Sequence, residues 1–157
     1  MHPSSPGGGA EPGPVTEPGW PDLEALGREP DPLSRAAAVI RAASPRYTGV
    51  YLYALRGGEL VLRAHAGRPT PHLRIPVGHG VCGRAVAEGA HQVVADVTSD
   101  PDYLACSVET RSECVVLVRR DGEVVGQIDI DSDLPGAFDR DDVRRLEAAA
   151  ELIAPHF

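Results

Sequence analysis

The fold is decided by residues 113–131, which read ECVVLVRRDGEVVGQIDID. Two apolar runs flank the polar segment Arg119–Gly122, and an Asp-Gly pair between valine-rich runs is the strongest short-range signal for a β-hairpin. Beyond the second run, Asp129 and Asp131 alternate with isoleucines. Because successive side chains of a strand point to opposite faces, one face of this hairpin is apolar core and the other is water or a polar pocket.

Outward from this hairpin, the sequence alternates strand and helix patterns. The predicted elements are a helix over 32–44, a hairpin over 47–64, a short strand over 73–76, a helix over 81–88, a strand over 91–97, a loop over 98–112, the hairpin above, and a helix that begins after Asp139. Tight hairpins make the sheet mainly antiparallel, and helices at both ends of the sequence can cover one of its faces. The predicted class is α+β, with a pocket on the other face.

Residues 1–30 are dominated by proline, glycine, serine and acidic residues. Such a segment buries too little apolar surface to offset the entropy lost on ordering, so we predict a disordered tail. Trp20 is then expected to be an incidental exposed residue. The folded domain is predicted over residues 31–157.

The acidic composition excludes several classes of partner. The 157 residues carry a formal net charge of −8 and lack the cationic stripe that nucleic acid or an anionic membrane would require. No apolar run approaches the length of about 20 residues that crosses a bilayer, and the N-terminus lacks the features of a signal peptide. We therefore expect a cytoplasmic protein. Its three cysteines, an odd number without framework spacing, are expected to be free or redox-active thiols.

The three cysteines stand in different settings. Cys82 falls in the first turn of a predicted helix, where free N–H groups favour a thiolate, so its thiol is expected to ionise easily. Cys106 lies in the polar loop, which is compatible with an ordinary small residue or a reactive thiol. Cys114 lies in an apolar strand and is expected in the core. The cysteines and histidines lack the spacing of zinc ligands, so no metal site is predicted, and no phosphate-binding loop supports nucleotide hydrolysis.

Four motifs together resemble one protein family. They are Gly78–Gly83, Tyr103–Cys106, Ser112-Glu113 and Asp129–Ser132, in the order and at the spacing of GAF domains that act as free methionine-(R)-sulfoxide reductases. The resemblance extends from about residue 31 to the C-terminus. It implies a six-stranded, mainly antiparallel GAF sheet flanked by helices, a small pocket closed by the loop that carries the catalytic cysteine, and a homodimer.

The same resemblance implies a role for each site residue. Cys106 falls on the family's nucleophile and Cys82 on a second, resolving cysteine. The implied substrate-binding residues are the acids Glu113, Asp129 and Asp131 and the aromatic residues Tyr51 and Tyr47. The sequence also departs from the family pattern. His72 occupies the position of the usual resolving cysteine, Cys114 replaces an aliphatic residue, and 102–104 reads Asp-Tyr-Leu instead of Gly-His-Ile. These departures bear on how the enzyme is recycled.

Reduction of a sulfoxide requires an attacking thiolate, an acid that protonates the oxygen, and a second thiol that converts the sulfenic acid to a disulfide. Clustered carboxyl groups repel one another, so at least one acid is expected to keep its proton near neutral pH. The first hypothesis is a reductase of free methionine sulfoxide that binds no cofactor and is recycled by an external dithiol such as thioredoxin. The second is a non-catalytic GAF module that binds a small molecule or senses oxidants. Sensors usually carry an output domain, which favours the enzyme here.

A shared acid site sets a condition on the register of the hairpin. A two-residue Asp121-Gly122 turn would place Glu113 opposite Ile130, facing away from both aspartates. A three-residue loop beginning at Arg120 would place Glu113 opposite Asp129. We therefore predict the three-residue loop, or a compensating bulge farther along the pair.

Overall fold

The computed structural model describes residues 19–105 and 107–157. Its strands are β1 (Gly49–Arg56), β2 (Glu59–Gly67), β3 (Arg74–Pro76), β4 (Gln92–Val94), β5 (Ser112–Arg120) and β6 (Glu123–Ser132). Its helices are α1 (Pro21–Glu24), α2 (Pro32–Ala42), α3 (Gly80–Glu88) and α4 (Arg140–Ile153). Across these described ranges, no helix has the length and apolar character that crossing a membrane requires.

The six strands form one sheet in the order β3-β2-β1-β6-β5-β4, and each neighbouring pair is antiparallel. Two-residue turns join β1 to β2 and β5 to β6. Pairing of β1 with β6 then joins the two hairpins at the centre of the sheet. The predicted α+β class and six-stranded sheet are confirmed.

One face of the sheet carries the larger core. The helices α1, α2 and α4 pack on it, over the side chains of β1, β5 and β6 that include Leu52, Val116 and Ile128. The helix α2 begins where Asp31 accepts a hydrogen bond from the backbone N–H of Ser34, and its buried residues recur at helical spacing. The other face carries a smaller core beneath α3, to which the edge strand β3 contributes Ile75. This second face holds the candidate site, as the sequence predicted.

The segment before α2 was predicted wrongly. Trp20, Leu23 and Leu26 are all buried in the larger core, so residues 20–28 belong to the folded domain rather than to a tail. The indole N–H of Trp20 donates to the backbone oxygen of Arg145 at 2.8 Å, and the Arg145 guanidinium lies 5.2 Å from the ring centroid. Three large side chains at helical spacing bury enough surface to order a Pro-rich segment. Residues 1–18 lie outside the described part of the chain, and the tail there stays a prediction.

Replacement of Trp20 tests this docking. Trp20→Ala is expected to lower the free energy of unfolding by about 3–5 kcal/mol, because a large buried side chain is lost and a cavity remains. Trp20→Phe keeps most of the packing and loses the hydrogen bond to Arg145, so it should cost less. Urea unfolding followed by circular dichroism measures both. Leu73→Ala is the control, since Leu73 is 63% exposed. A loss under 1 kcal/mol in Trp20→Ala would contradict the docked position.

Candidate active site

The turn of the β5–β6 hairpin differs from the predicted loop. Arg120 pairs with Glu123, and the two residues between them, Asp121 and Gly122, have φ angles of 54° and 81°. This is the left-handed backbone of a two-residue hairpin turn, which Asp-Gly adopts at low cost. The prediction of a three-residue loop was therefore wrong.

A bulge in β6 compensates for the two-residue turn, which alone would place Glu113 on the opposite face from the aspartates. The register shifts between Val118 and Arg119, so that Val125 of β6 is bypassed in the pairing with β5. Glu113 consequently lies opposite Asp131, and Asp129, two residues earlier, points to the same face. The predicted alternative of a compensating bulge is confirmed, although Glu113 faces Asp131 rather than Asp129. All three acids are buried on the face covered by α3.

Cys82 reaches these acids from above the sheet. It lies in the first turn of α3, as predicted, and its side chain points down into the smaller core. Its thiol donates to Oε1 of Glu113 across 3.7 Å. The start of α3 is close to the chain that follows it, because a side chain at Gly80 would collide with Leu104 at 2.8 Å. Gly80 therefore allows α3 and the loop to approach closely.

The thiol of Cys82 does not have the acidity expected from its place in the helix. Burial raises its pKa well above the ordinary value, and the neighbouring charges of Asp129 and Glu113 raise it further. The expectation that Cys82 ionises easily was therefore wrong. A helix N-terminus favours a thiolate only weakly, whereas loss of water and nearby carboxylates both oppose one. Cys82 is a protonated thiol near neutral pH.

Asp129 is also held in an environment that favours its protonated form. Burial raises the pKa of Asp129, while hydrogen bonds from Glu113 and Cys82 and the charge of His72 lower it by smaller amounts. A hydrogen bond between two carboxyl groups requires that one of them carry the proton. Asp129 and Glu113 therefore form a carboxyl pair that retains a proton, which agrees with the expectation that one of the clustered acids stays protonated.

Glu113, Asp129 and Cys82 border a small cavity of about 10 Å³. Its lining includes Tyr53, His72, Cys82, Leu104, Glu113 and Asp129. A cavity of this size has room for roughly one water molecule. Sequence reasoning did not name Tyr53 and Leu104 as site residues. The alternation along β1, which places Tyr53 on the same face as Tyr51, was the signal that would have identified Tyr53.

The two tyrosines predicted for the aromatic wall lie in different places. Tyr51 is buried on the acid-bearing face, opposite Asp129 in the sheet, and its hydroxyl donates to the backbone oxygen of Arg68 at 2.8 Å. Tyr47 lies before β1 in the larger core, where its hydroxyl donates to Asp142 at 2.7 Å. Burial raises the pKa of Tyr47. Neither tyrosine is among the residues that line the cavity of Cys82, Glu113 and Asp129, and Tyr47 lies on the opposite face of the sheet.

The predicted nucleophile, Cys106, lies outside the described residues. Two arginines form ion pairs with the described chain on either side of it. Upstream, Arg84 of α3 forms ion pairs with Asp100 at 2.7 Å and Asp102 at 3.0 Å. Downstream, Arg68 forms ion pairs with Glu109 at 2.7 Å and Asp133 at 2.8 Å. Leu104, two residues before Cys106, lines the cavity. Cys114, in contrast, is buried in the larger core as predicted, and burial raises its pKa to about 12.

Cys82, Glu113 and Asp129 place a sulfur and two oxygen atoms within 4.8 Å of one another. Thiolates and carboxylates are both ligands of zinc. The absence of zinc spacing in the sequence is uninformative about this group, because its members come from three separate elements. The prediction that no metal is bound stays a prediction.

Comparison with known proteins adds to this geometry. The family model of the GAF domain matches residues 31–156. The free methionine-R-sulfoxide reductase of Escherichia coli is 35% identical to this chain, over 77% of the chain and 74% of that protein. The chain belongs to the GAF domain family, among relatives of the free methionine-R-sulfoxide reductases. Protein YtsP of Bacillus subtilis is 37% identical, over 76% of the chain and 74% of that protein.

Solved structures of this GAF branch superpose on the chain. The type II free methionine-R-sulfoxide reductase of Thermoplasma acidophilum matches with a TM-score of 0.78 and 40% identity, over 85% of this chain and 94% of that one. The reductase of Neisseria meningitidis in complex with its substrate matches with a TM-score of 0.80 and 37% identity, over 88% and 85% of the two chains. The family predicted from the sequence motifs is confirmed.

Proposed function

We propose that this GAF domain reduces free methionine-(R)-sulfoxide to methionine, with Cys106 as the nucleophile and Cys82 as the resolving thiol. The observation that carries the proposal is the buried group of Cys82, Glu113 and Asp129, which combines a thiol and a proton-holding carboxyl pair in one cavity. The family relatives that bear the reductase name support the same substrate.

The proposed reaction transfers one oxygen atom and two electrons. The Cys106 thiolate attacks the sulfoxide sulfur while the carboxyl pair protonates the oxygen, and the products are methionine and a Cys106 sulfenic acid. The Cys82 thiol then displaces water from the sulfenic acid and forms a Cys82–Cys106 disulfide. Glu113, which already accepts the Cys82 proton in a hydrogen bond, is placed to take that proton. An external dithiol such as thioredoxin reduces the disulfide by thiol exchange.

Charge and size support a small zwitterionic substrate. Asp131 is buried on the cavity face beside the pair of Glu113 and Asp129, and a free amino acid offers an ammonium group to such a carboxylate. The cavity of about 10 Å³ is smaller than methionine sulfoxide. Binding therefore requires displacement of a lining side chain, and Leu104 is half-exposed and belongs to a loop. A methionine sulfoxide within a peptide has no free ammonium group, and the cavity has no room for its flanking chain.

A second candidate function is an oxidant-sensing GAF module. It is favoured by the protonated, buried state of Cys82 and by histidine at position 72, both of which slow resolution of a sulfenic acid. A sensor would form the Cys106 sulfenic acid with peroxide and show no turnover with methionine sulfoxide. We also propose that the protein is a homodimer, as the family resemblance implies, and that it is cytoplasmic, as its sequence predicts.

One experiment tests both the substrate and the thiol pair. The purified protein is mixed with one equivalent of methionine-(R)-sulfoxide or its (S) epimer, and its disulfides are then mapped by mass spectrometry. We expect an intramolecular Cys82–Cys106 disulfide and one equivalent of methionine with the (R) epimer alone. With excess (R) epimer, thioredoxin, thioredoxin reductase and NADPH, oxidation of NADPH should continue over many turnovers. Modification of Cys114 alone, or only intermolecular disulfides, would contradict the thiol assignment.

A further inference from the structure

The side chains of Cys82, Glu113 and Asp129 have the spacing of ligands around one metal ion. The sulfur and one oxygen from each carboxyl group lie within 4.8 Å of one another, and all three side chains are buried. Sγ of Cys82 lies 3.7 Å from Oε1 of Glu113. Around a tetrahedral zinc ion, with Zn–S of about 2.3 Å and Zn–O of about 2.1 Å, a sulfur and an oxygen ligand lie about 3.6 Å apart. The observed separation therefore suits zinc.

Three different elements of the fold hold these donors. Cys82 lies in the first turn of α3, Glu113 lies on β5 and Asp129 lies on β6. Because β5 and β6 are neighbouring strands with a defined register, the two carboxyl groups keep their relative positions on the face beneath α3. A bound ion would thus tie the helix to the sheet at a place that the fold already builds.

One oxygen of Asp129 supplies a separate observation that points to a ligand. Its Oδ1 is buried and has no hydrogen-bond partner among the described residues, although the carboxyl group is hydrogen-bonded to Glu113 and Cys82. Asp129 lines the cavity. Buried polar atoms in native structures nearly always have a partner, and an ion is one explanation for an atom that lacks one. Oδ1 of Asp129 is thus available to a ligand in this cavity.

The charge and size of the cavity suit a cation. Of the described residues that line it, His72 alone is basic, and Glu113 and Asp129 are the acids. Buried carboxylates are normally paired with a cation or coordinate a metal. The volume of about 10 Å³ holds roughly one water molecule, and a zinc ion without its water shell is smaller than that.

The donor set selects among metals. Magnesium and calcium prefer six or more oxygen ligands, whereas a thiolate favours zinc and other softer ions. One sulfur and two carboxylate oxygens also fill three of the four positions of a zinc tetrahedron, and the fourth is left for water. Zinc is therefore the metal that this group fits best.

We propose that Cys82, Glu113 and Asp129 form a zinc site and that zinc bound there reversibly inhibits the domain. On binding, the Cys82 thiol and the carboxyl pair release their protons to solvent, and no electrons are transferred. The inhibition rests on the proposed function, because coordinated Cys82 cannot attack a sulfenic acid and a coordinated carboxyl pair cannot donate a proton. The binding of the metal does not depend on that function.

Cobalt is the probe for the site, since a thiolate bound to Co²⁺ gives a charge-transfer absorption that carboxylates alone do not. The chain has three cysteines, so Cys106→Ser/Cys114→Ala leaves Cys82 as the only thiol. One equivalent of Co²⁺ should produce the absorption in this single-thiol variant, and Zn²⁺ should remove it by displacement. Absence of the absorption would overturn the proposal.

The carboxylate ligands are tested in the same single-thiol background. Asp129→Asn and Glu113→Gln should each weaken cobalt binding at least about tenfold, because even the loss of a group that only orients a ligand costs roughly that much. Asp121→Asn, in the exposed turn of the β5–β6 hairpin, is the matched control and should bind like the background. Circular dichroism checks that each variant is folded. Unchanged affinity in both Asp129→Asn and Glu113→Gln would overturn the site, since Cys82 would then bind cobalt without the acids.

A stability measurement gives an independent readout. A metal that binds only the native state stabilises it by mass action, so Zn²⁺ should raise the unfolding temperature of the single-thiol variant. Mg²⁺ at the same concentration should not. Equal shifts with the two metals, or no shift with zinc, would contradict a site that includes the thiol.

Inhibition is measured in a single turnover without thioredoxin, because a dithiol reductant binds zinc itself. Saturating Zn²⁺ should slow methionine formation from methionine-(R)-sulfoxide at least about 100-fold, the lower end of the range for general acid catalysis, and EDTA should restore the rate. The zinc concentration for half-inhibition should match the zinc affinity of the single-thiol variant. If the metal-free protein reduces no sulfoxide, the proposed function fails while the cobalt spectra still decide the site. Zinc binding without inhibition would overturn the inhibitory role.

Discussion

Cys106→Ser is expected to abolish the first turnover, whereas Cys82→Ser should complete one turnover per site and then stall. Loss of a catalytic nucleophile lowers a reaction rate by a factor on the order of 10⁴ or more. Loss of the resolving thiol leaves the oxygen transfer intact and removes only the following step. The two variants therefore separate the chemistry of Cys106 from that of Cys82.

The structure adds a pH dependence to this prediction. Burial raises the pKa of Cys82, so its thiol is protonated near neutral pH, and only the thiolate resolves a sulfenic acid. The rate of disulfide formation in the wild type should therefore increase as pH rises. The first oxygen transfer needs the protonated carboxyl pair, so its rate should fall as pH rises. Stopped-flow detection of methionine and of disulfide measures the two steps separately.

The stalled state of Cys82→Ser can be identified directly. Dimedone should label Cys106 stoichiometrically after one equivalent of methionine has formed, and thioredoxin should not support further turnover. Cys114→Ala is the control, because Cys114 is buried in the larger core on the opposite face of the sheet. It should turn over like the wild type. Sustained thioredoxin-dependent turnover in Cys82→Ser would show that another thiol resolves Cys106.

Much of the fold was predictable because its signals are local. The Asp-Gly turn, the alternation around Asp129 and Asp131, and the Asp31 cap each follow from a few adjacent residues. The position of Val125 was not predictable, since a bulge depends on how two strands settle against the rest of the sheet. The shared face of the acids therefore followed from a requirement of the site, whereas the exact register of β5 and β6 did not.

The remaining errors arose where burial decides the outcome. Trp20 docks because the neighbouring helices leave an apolar surface for it, which a composition argument over residues 1–30 cannot detect. Cys82 was placed correctly in its helix, but its pKa depends on acids that are 31 or more residues away in the sequence. Tyr47 shares an aromatic character with Tyr51, and only the tertiary structure assigns the two to opposite faces.

Asp129→Asn is expected to lower kcat/KM by about 10²- to 10⁴-fold, the range over which general acid catalysis acts. The amide keeps the shape of the side chain and removes its ability to share and transfer a proton with Glu113. The same substitution should raise stability. The folded-state pKa of Asp129 lies above its unfolded value because of burial, so the native state loses stability as pH rises through that folded-state pKa. Asparagine cannot ionise and avoids this loss.

Asp129→Asn should thus lower activity and raise stability, and this combination distinguishes a functional acid from a structural one. Thermal unfolding of Asp129→Asn should occur at a higher temperature than in the wild type, with a difference that grows as pH increases and disappears at acidic pH. Asp121→Asn, in the exposed turn of the same hairpin, is the matched control and should change neither activity nor stability. A lower unfolding temperature in Asp129→Asn at alkaline pH would mean that the carboxylate stabilises the fold. Full activity in Asp129→Asn would show that Asp129 does not donate the proton, and Glu113 would then be the proton donor.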